Sequence, residues 1–293
     1  MGEVKRMKYL AGGQWLDTKS GKYTPVYNPS TGEVQAEIPS CTTEEVAYAI
    51  ECAKKAFPAW RDTPVMKRVQ VLYKFRDLLD QHWDELTECC AREHGKNWKE
   101  SAGDIAKVKE PVELACGTST LMMGESMMDT SKGYDTVSYR EPLGVFAGIA
   151  PFNFPGMIPM GWMTPICIAT GNTIVIKAAS KTPLTALRCA ELWQEAGLPD
   201  GVLNIVTCTR QESEQFLTHP DVKGICFVGT TGVGKHIYGI AAANGKRVQA
   251  QTEAADGQPL ELQLQQPGGI SVPPVVALSC SSRPQPMPVT MPP

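Results

Sequence analysis

An asparagine lies in a stiff and apolar segment of the chain, APFNFPG at residues 150–156. The amide of Asn153 can donate two hydrogen bonds without carrying a charge. In a rigid, dry site such a donor stabilises an oxygen that becomes negative during a reaction. The alternative is a loop asparagine that caps a helix or a turn, and the local sequence leaves both interpretations open.

A glycine-rich segment, FVGTTGVGKH at residues 227–236, is the second candidate site. Glycines between a strand and a helix let the backbone approach a phosphate, and the helix N-terminus supplies N–H groups. Gly229 and Gly234, with the lysine that follows, match the phosphate loop of ATP or GTP hydrolases, but His236 stands where that motif needs Ser or Thr. Close helix–strand packing is a second interpretation. A third is a dinucleotide site in which Thr230 faces the pyrophosphate.

The elements that would position these residues alternate between apolar β-rich runs and helical stretches from Val145 onward. Asn153, Lys177 and Thr230 each lie at or just past the end of a predicted strand, where parallel sheets bind ligands. From there Lys177 can reach the hydroxyls of a bound ribose, although a solvated strand end is the alternative. The predicted strands are GVFAGIAP, NTIVIKAA, VLNIVTC, GICFVG and RVQAQT, and the predicted helices cover 183–196, about 212–217 and 232–243.

These strands are apolar on both faces, which indicates a parallel sheet covered by helices. We therefore predict a doubly wound, Rossmann-like α/β domain. Further helices are expected before it. Thr42 and Glu45 form a capping box that begins one helix, and a second is predicted from Pro64 to His94, with Gly95 as its stop.

Composition and charge exclude several classes of protein. The net charge is −3 over 293 residues, which gives no reason to expect nucleic acid or an anionic membrane as a partner. No apolar run is long enough to span a membrane, and no signal peptide is evident, so a cytoplasmic location is expected. The ten cysteines are scattered and are expected to be reduced, and the four histidines form no metal-spaced cluster.

The composition changes abruptly near residue 251, and the last 43 residues contain nine of the 23 prolines. Such a segment cannot bury enough apolar surface to offset its ordering entropy. We expect residues 251–293 to be an unrelated tail that is irregular, and disordered, from about residue 265.

Several motifs in fixed order resemble the aldehyde dehydrogenase superfamily from about residue 8 to 250: EPLGVFAGIAPFNFP, GNTIVIKAASKTPLTAL, GLPDGVLNIV and FVGTTGVG. The segments LMMGESM, GIAPFNFPGMIPMGW and GKRVQA resemble its methylmalonate-semialdehyde (or malonate-semialdehyde) dehydrogenase branch. That branch oxidises a semialdehyde with NAD and passes the acyl group to coenzyme A. The resemblance therefore implies NAD, or NADP, as cofactor, coenzyme A as co-substrate, a small semialdehyde substrate and a homo-oligomer.

The resemblance also implies roles for particular residues. Asn153 would donate to the oxygen of the tetrahedral thiohemiacetal, and Lys107 stands where the branch has an arginine that holds the substrate carboxylate. A lysine there keeps the charge but loses the bidentate fork. The cofactor-binding positions are Ala150 and Phe152 beside the nicotinamide, Lys177 at the ribose, Ser180 and Lys181 after it, Thr230 at the pyrophosphate and Thr252 beside the nicotinamide.

The sequence departs from the family in its nucleophile. The cysteine motif G-Q-x-C or G-E-x-C is absent, and Cys280, at a plausible distance, lies in a proline-rich run with nothing to lower its pKa. Gln251, with Glu253 two residues on, stands where water-using members carry a glutamate base. Ala255-Asp256-Gly257 replaces the branch's K-N-H, so the match is expected to end near Thr252.

A second departure concerns the ribose. The motif Lys177-Ala178-Ala179-Ser180 lacks the family's glutamate, which could weaken the hold on the ribose hydroxyls by about 1–3 kcal/mol and relax the preference for NAD over NADP. We expect residues 1–250 to be the dinucleotide-binding portion of such an enzyme, with 136–147 matching the first part of an oligomerisation hairpin. The catalytic domain and nucleophile would be missing, so the chain alone would be inactive. The alternatives are a non-catalytic NAD-binding or interaction module and, less favoured, a phosphate-loop hydrolase.

Overall fold

The computed structural model describes residues 4–253, 259–262 and 277–279. The N-terminal strands are β1 (Lys5–Arg6), β2 (Tyr9–Ala11), β3 (Gln14–Leu16), β4 (Tyr23–Tyr27) and β5 (Val34–Pro39). Five helices follow: α1 (Thr43–Asp62), α2 (Val65–Gln81), α3 (Trp83–His94), α4 (Trp98–Cys116) and α5 (Thr118–Leu121). Three mostly exposed strands come next: β6 (Ser126–Ser131), β7 (Tyr134–Val137) and β8 (Tyr139–Glu141).

The second half of the chain alternates strands and helices. Its elements are β9 (Val145–Ile149), a π-helix (Met157–Met163), α6 (Pro165–Ala169), β10 (Thr173–Lys177), α7 (Leu184–Glu195), β11 (Leu203–Val206), α8 (Arg210–Ser213), α9 (Gln215–Thr218), β12 (Val222–Gly229), α10 (Thr231–Ala243) and β13 (Arg247–Glu253). Two further strands are β14 (Pro259–Leu262) and β15 (Ala277–Ser279).

The main sheet has eight strands in the order β14-β13-β12-β9-β10-β11-β2-β3. Its five central strands, β13 to β11, are parallel, and the flanking strands pair antiparallel. The chain runs outward from β9 through β10 to β11, and then returns to the other side of β9 for β12 and β13. This is the predicted doubly wound α/β fold, and the prediction is confirmed.

Side chains alternate between two cores, one on each face of the sheet. Phe146, Ile174 and Ile176 point into the core shared with α2, α4 and α7. Val145 and Val175 point into the opposite core, which α1, α9 and α10 cover. The strands therefore appear uniformly apolar in the sequence because both of their faces are buried.

The helices begin and end largely where their capping residues predict. Thr42 and Glu45 form the predicted capping box of α1, with the Thr42 N–H 2.7 Å from the Glu45 carboxylate. Gly95 ends α3 in the left-handed region, at φ 82°. The predicted single helix over 64–94 is wrong, because His82, at φ −104° and ψ 20°, separates α2 from α3.

The structure contains elements that the sequence patterns did not predict, among them α4, α5, α6, the π-helix and strands β1 to β6. The predicted helix near 212–217 is two short helices, α8 and α9. No helix among the described residues is long and apolar enough to cross a membrane.

The predicted domain boundaries remain predictions. Residues 136–147 include parts of β7 and β9 and all of β8, and β6 pairs with β7 in an exposed hairpin. Within the predicted tail, β14 pairs with β13 and β15 pairs with β8, so the expected irregularity does not hold for residues 277–279. The other residues of the predicted disordered stretch lie outside the described residues.

A buried arginine joins the ends of two helices. Arg68 is 4% exposed, and its guanidinium donates to the carbonyl oxygens of Ala169, at 2.9 Å, Arg61 and Thr63. These carbonyls lie at the C-terminal ends of α6 and α1, where the helix dipole favours a cation. Burial lowers the pKa of Arg68, and the three acceptors offset part of its desolvation cost.

We expect Arg68→Met to lower the free energy of unfolding by about 2–3 kcal/mol, because buried carbonyls would lose their donor. Arg76→Met is the matched control, since Arg76 pairs with Asp77 at the surface and its replacement should cost much less stability than that of Arg68. Urea unfolding of both variants measures the difference. Equal losses in the two variants would contradict this account of Arg68.

Candidate functional site

The carboxyl ends of the central strands meet at one edge of the sheet. Ile149 pairs in register with Lys177 on one side and with Phe227 on the other, and Gly229 pairs with Thr252. Ala150, Lys177, Thr230 and Thr252 therefore lie along the same edge. Because the chain leaves β9 in one direction and β12 in the other, these two strands form a topological switch point, where a ligand-binding crevice is expected.

The loop after β9 is attached to the loop after β10. The Ala150 N–H donates to the Lys177 carbonyl at 3.2 Å, and the Thr182 hydroxyl donates to the Phe152 carbonyl at 2.8 Å. The Lys181 ammonium lies 5.0 Å from the centre of the Phe152 ring. Four predicted cofactor-binding residues are thus brought together, and Ser180, half-buried, lies in the same loop.

Asn153 is exposed and is held through its main chain. Its carbonyl accepts a hydrogen bond from Lys96 Nζ at 2.7 Å. The same ammonium lies 3.1 Å from Asp104 Oδ2 and 4.0 Å from the centre of the Phe154 ring. The loop that carries Asn153 at the sheet edge is therefore held by Lys96 and Asp104.

Sequence analysis missed Lys96, Asp104 and Thr182 as contributors to this site. Asp104 had a signal in the sequence, because it lies at helical spacing with the apolar residues Ile105 and Val108, which are buried on α4. A carboxylate among buried helical positions needs a partner. Lys96 and Thr182 gave no comparable signal, since their partners are far away in the sequence.

The helix that follows β12 begins at the crevice. Thr230 is the N-cap residue of α10, is exposed, and makes no capping hydrogen bond with its side chain. The first turn of α10 contains no acidic residue. Its positive end and the Thr230 hydroxyl are therefore suited to an anionic group such as a phosphate.

Two glycines of this segment are explained by packing. A Cβ on Gly229 would lie 2.5 Å from Phe227 Cζ, and one on Gly234 would lie 2.3 Å from Thr252 Cγ2. The packing interpretation thus holds for both, and it is compatible with a dinucleotide site, whose third glycine has the same purpose. The hydrolase interpretation loses support, because His236 Nε2 contacts Glu214 at 2.7 Å and offers no hydroxyl for magnesium.

Thr252 supplies an unused polar atom near the end of β13. The residue is 4% exposed, and its Oγ1 has no hydrogen-bond partner among the described residues. A buried hydroxyl without a partner is costly, and a ligand that hydrogen-bonds to it would remove that cost. The residues at this edge therefore fit a nucleotide with ribose and phosphate groups.

Lys107 lies on α4. It is exposed, and its ammonium contacts both carboxylate oxygens of Glu110, at 2.9 and 2.7 Å. Its main chain packs against Gly161 of the π-helix, where a Cβ would lie 2.5 Å from the Lys107 carbonyl. A substrate carboxylate would have to displace Glu110, and the predicted role of Lys107 stays a prediction.

A buried carboxylate of α3 binds the N-terminus of α7. Glu93 is 2% exposed and accepts hydrogen bonds from the main-chain N–H groups of Leu184, at 2.7 Å, and Thr185, at 2.9 Å. The Thr185 hydroxyl also donates to it. Burial raises the pKa of Glu93 to about 7, although these hydrogen bonds lower it. Glu93 thereby fastens the C-terminal end of the loop that carries Ser180 and Lys181.

The described thiols are not suited to nucleophilic attack. Nine cysteines are free, and eight of them are buried. Burial raises the pKa of Cys41, Cys90, Cys208 and Cys226 to about 12, and it also raises the pKa of the other five. Cys280 lies outside the described residues. Among the described residues, no group of three or more His, Cys, Asp or Glu side chains could hold a metal ion.

Comparison with known protein families gives one match over most of the chain. Residues 15–257 match the model described as "Aldehyde dehydrogenase family". Malonate-semialdehyde dehydrogenase 2 of Geobacillus kaustophilus (strain HTA426) is 49% identical over 251 residues. That alignment covers 86% of this chain and 52% of the relative, so the chain spans about half the length of the curated relatives it matches.

Solved structures agree with this match. The putative methylmalonate-semialdehyde dehydrogenase from Sinorhizobium meliloti 1021, complexed with NAD, superposes with a TM-score of 0.84 at 39% identity, over 87% of this chain and 52% of that one. The methylmalonate-semialdehyde dehydrogenase from Oceanimonas doudoroffii gives 0.83 at 41% identity, over 86% and 51%.

We expect Gly234→Ala to lower the free energy of unfolding by about 1–3 kcal/mol, because the new methyl group would overlap Thr252 Cγ2. Gly232→Ala is the matched control in the same helical turn. A Cβ there meets nothing within 4 Å, so this change should be neutral or stabilise by up to about 1 kcal/mol. Thermal unfolding of both variants measures the contrast. If Gly232→Ala cost as much as Gly234→Ala, the packing interpretation would be wrong.

Proposed function

The chain belongs to the aldehyde dehydrogenase family, and from this premise we propose that residues 4–253 bind NAD as the coenzyme-binding portion of a semialdehyde dehydrogenase. One observation carries the proposal. Lys177, Thr230 and Thr252, whose hydroxyl has no hydrogen-bond partner among the described residues, lie along the same edge of the sheet as the exposed Asn153.

Each residue at this edge has a chemical task. Lys177, half-buried at the end of β10, would donate to ribose hydroxyls. Thr230 and the N-terminus of α10 would bind the pyrophosphate. Ala150, Phe152 and Thr252 would border the nicotinamide. The bound coenzyme would supply a hydride acceptor to the reaction.

Asn153 would act on the substrate rather than on the coenzyme. Its amide can donate to a carbonyl oxygen as that oxygen becomes negative, which lowers the barrier to attack at the carbonyl carbon. The donor must be positioned before the reaction to have this effect. The hydrogen bond from Lys96 to the Asn153 carbonyl supports this role, because it holds the main chain of that residue.

The names of the relatives support malonate or methylmalonate semialdehyde as substrate. Lys107 is the proposed contact for the substrate carboxylate, with weaker geometric selectivity than an arginine would give. Coenzyme A as acyl acceptor is part of the proposal, and Gln251 supports it, because a thiol acceptor needs no carboxylate base to activate water.

Residues 4–253 would bind the coenzyme without turning over substrate. The nine described thiols are poor nucleophiles, since burial raises the pKa of each one. A non-catalytic NAD-binding module is therefore the second candidate function, and the same observation favours it for the isolated chain.

Selectivity between NAD and NADP should be low. Ser180 offers no negative charge to repel a 2′-phosphate, and Lys181 is exposed beside it. We propose that both dinucleotides bind, with NAD as the coenzyme of the reaction.

Calorimetric titration with NAD, NADP and magnesium-ATP tests the coenzyme site. We expect NAD to bind and Lys177→Met to weaken binding roughly tenfold or more, because a charged donor to the ribose is lost. Lys235→Met is the control, since the phosphate-loop interpretation needs Lys235 and the dinucleotide interpretation does not. A larger loss in Lys235→Met, or tight binding of magnesium-ATP alone, would favour the hydrolase instead.

A turnover assay tests the second part. We expect no NADH from malonate semialdehyde, NAD and coenzyme A with the purified chain, because the described residues lack an activated thiol. Absorbance at the NADH band measures this. Sustained NADH formation that iodoacetamide abolishes would show that a thiol of this chain is reactive, and the proposed lack of turnover would be wrong.

A further inference from the structure

The loop that carries Asn153 has few main-chain hydrogen bonds of its own. Pro151 and Pro155 lack an N–H group, so the segment between them cannot form a regular turn ladder. Two of its carbonyl oxygens are instead held by side chains from other elements. Thr182 holds the Phe152 carbonyl, and Lys96 holds the Asn153 carbonyl.

Lys96 is placed for this contact by the end of α3. Gly95 adopts the left-handed conformation that ends the helix, and a Cβ there would lie 2.8 Å from Pro29 Cγ, so a side chain is not tolerated. The chain then turns, and the Lys96 side chain, only 13% exposed, lies under the loop. Its ammonium contacts a carbonyl, a carboxylate and the Phe154 ring at the same time.

Asp104 neutralises the charge of the buried Lys96 ammonium and makes a further contact with the loop. Its side chain is fully buried, and Oδ2 lies 3.1 Å from the Lys96 ammonium. Oδ1 accepts the main-chain N–H of Met157, the first residue of the π-helix, at 2.7 Å. The ion pair therefore hydrogen-bonds to the loop on both sides of Phe154, at the carbonyl of residue 153 and the N–H of residue 157.

A buried ion pair is a weak source of net stability, because desolvation offsets most of its attraction. Its value here is geometric, since the Lys96 ammonium has a further N–H and Asp104 a second oxygen, and both make hydrogen bonds to the same loop. We propose that Lys96, supported by Asp104, is a positioning residue that fixes the Asn153 amide relative to the coenzyme crevice. The inference deepens the proposed function and rests on it for the identity of the ligand.

The test compares Lys96→Met with Lys109→Met. Lys109 is also ion-paired, to Asp80 at 2.7 Å, but it contacts no part of the loop, which makes it the matched control. Hydrogen–deuterium exchange of the unliganded chain is the first measurement. We expect the amides of residues 152–158 to exchange at least tenfold faster in Lys96→Met, with no such change in Lys109→Met.

Ligand fragments give the second measurement, which a purely structural role would not move. In the proposed binding mode AMP would occupy only the adenosine half of the site, whereas NAD would also reach the Asn153 loop. We expect Lys96→Met to weaken NAD binding about five- to tenfold and to leave AMP binding within twofold of the unaltered chain. If Lys96→Met is not recovered folded, Asp104→Asn carries the same two measurements.

Unchanged exchange at 152–158, faster exchange spread over the whole chain, or equal losses for NAD and AMP would each overturn the positioning role. If the unaltered chain binds no NAD, the proposed function fails, and the exchange experiment alone decides whether Lys96 fixes the loop. The two failures are therefore distinguishable.

Discussion

A connection between parallel strands must return the chain to the end of the sheet from which the first strand began, and this constraint governs where polar residues can gather. The central strands are covered by helices on both faces, so their side chains are buried in the two cores. The side chains of the loops at the carboxyl edge are not needed for this packing and can contact a ligand. From the parallel neighbours β9 and β12 the chain continues toward opposite edges of the sheet. The loops that follow these two strands therefore diverge, and a crevice is expected between them.

The loops at that edge are held mainly by side chains from distant segments. Glu93 and Lys96, at the C-terminal end of α3, reach the start of α7 and the loop after β9, respectively. Thr182 then connects the two loops to each other. Residues 93–96, at the end of α3, thus hold both loops. Preorganised hydrogen-bond donors require such fixed positions.

The sequence predicted the elements whose signal is local. Apolar runs flanked by glycines identified the five central strands, and the pair Thr42 and Glu45 located the start of α1. The break at His82 has no glycine or proline to mark it, so it was missed. The contacts of Lys96 could not be predicted either, because its two hydrogen-bond partners, Asp104 and Asn153, are eight and 57 residues away and meet it only after the helices pack.

The burial of the thiols has a consequence for how the chain meets oxidants and alkylating reagents. Because burial raises the pKa of Cys41, Cys208 and Cys226 to about 12, these thiols have far less thiolate at neutral pH than an exposed cysteine. Cys208 and Cys226, which lie just after β11 and within β12, are thereby protected as long as the sheet stays closed. The rate at which a reagent modifies Cys208 or Cys226 would therefore measure how often β11 and β12 unfold locally.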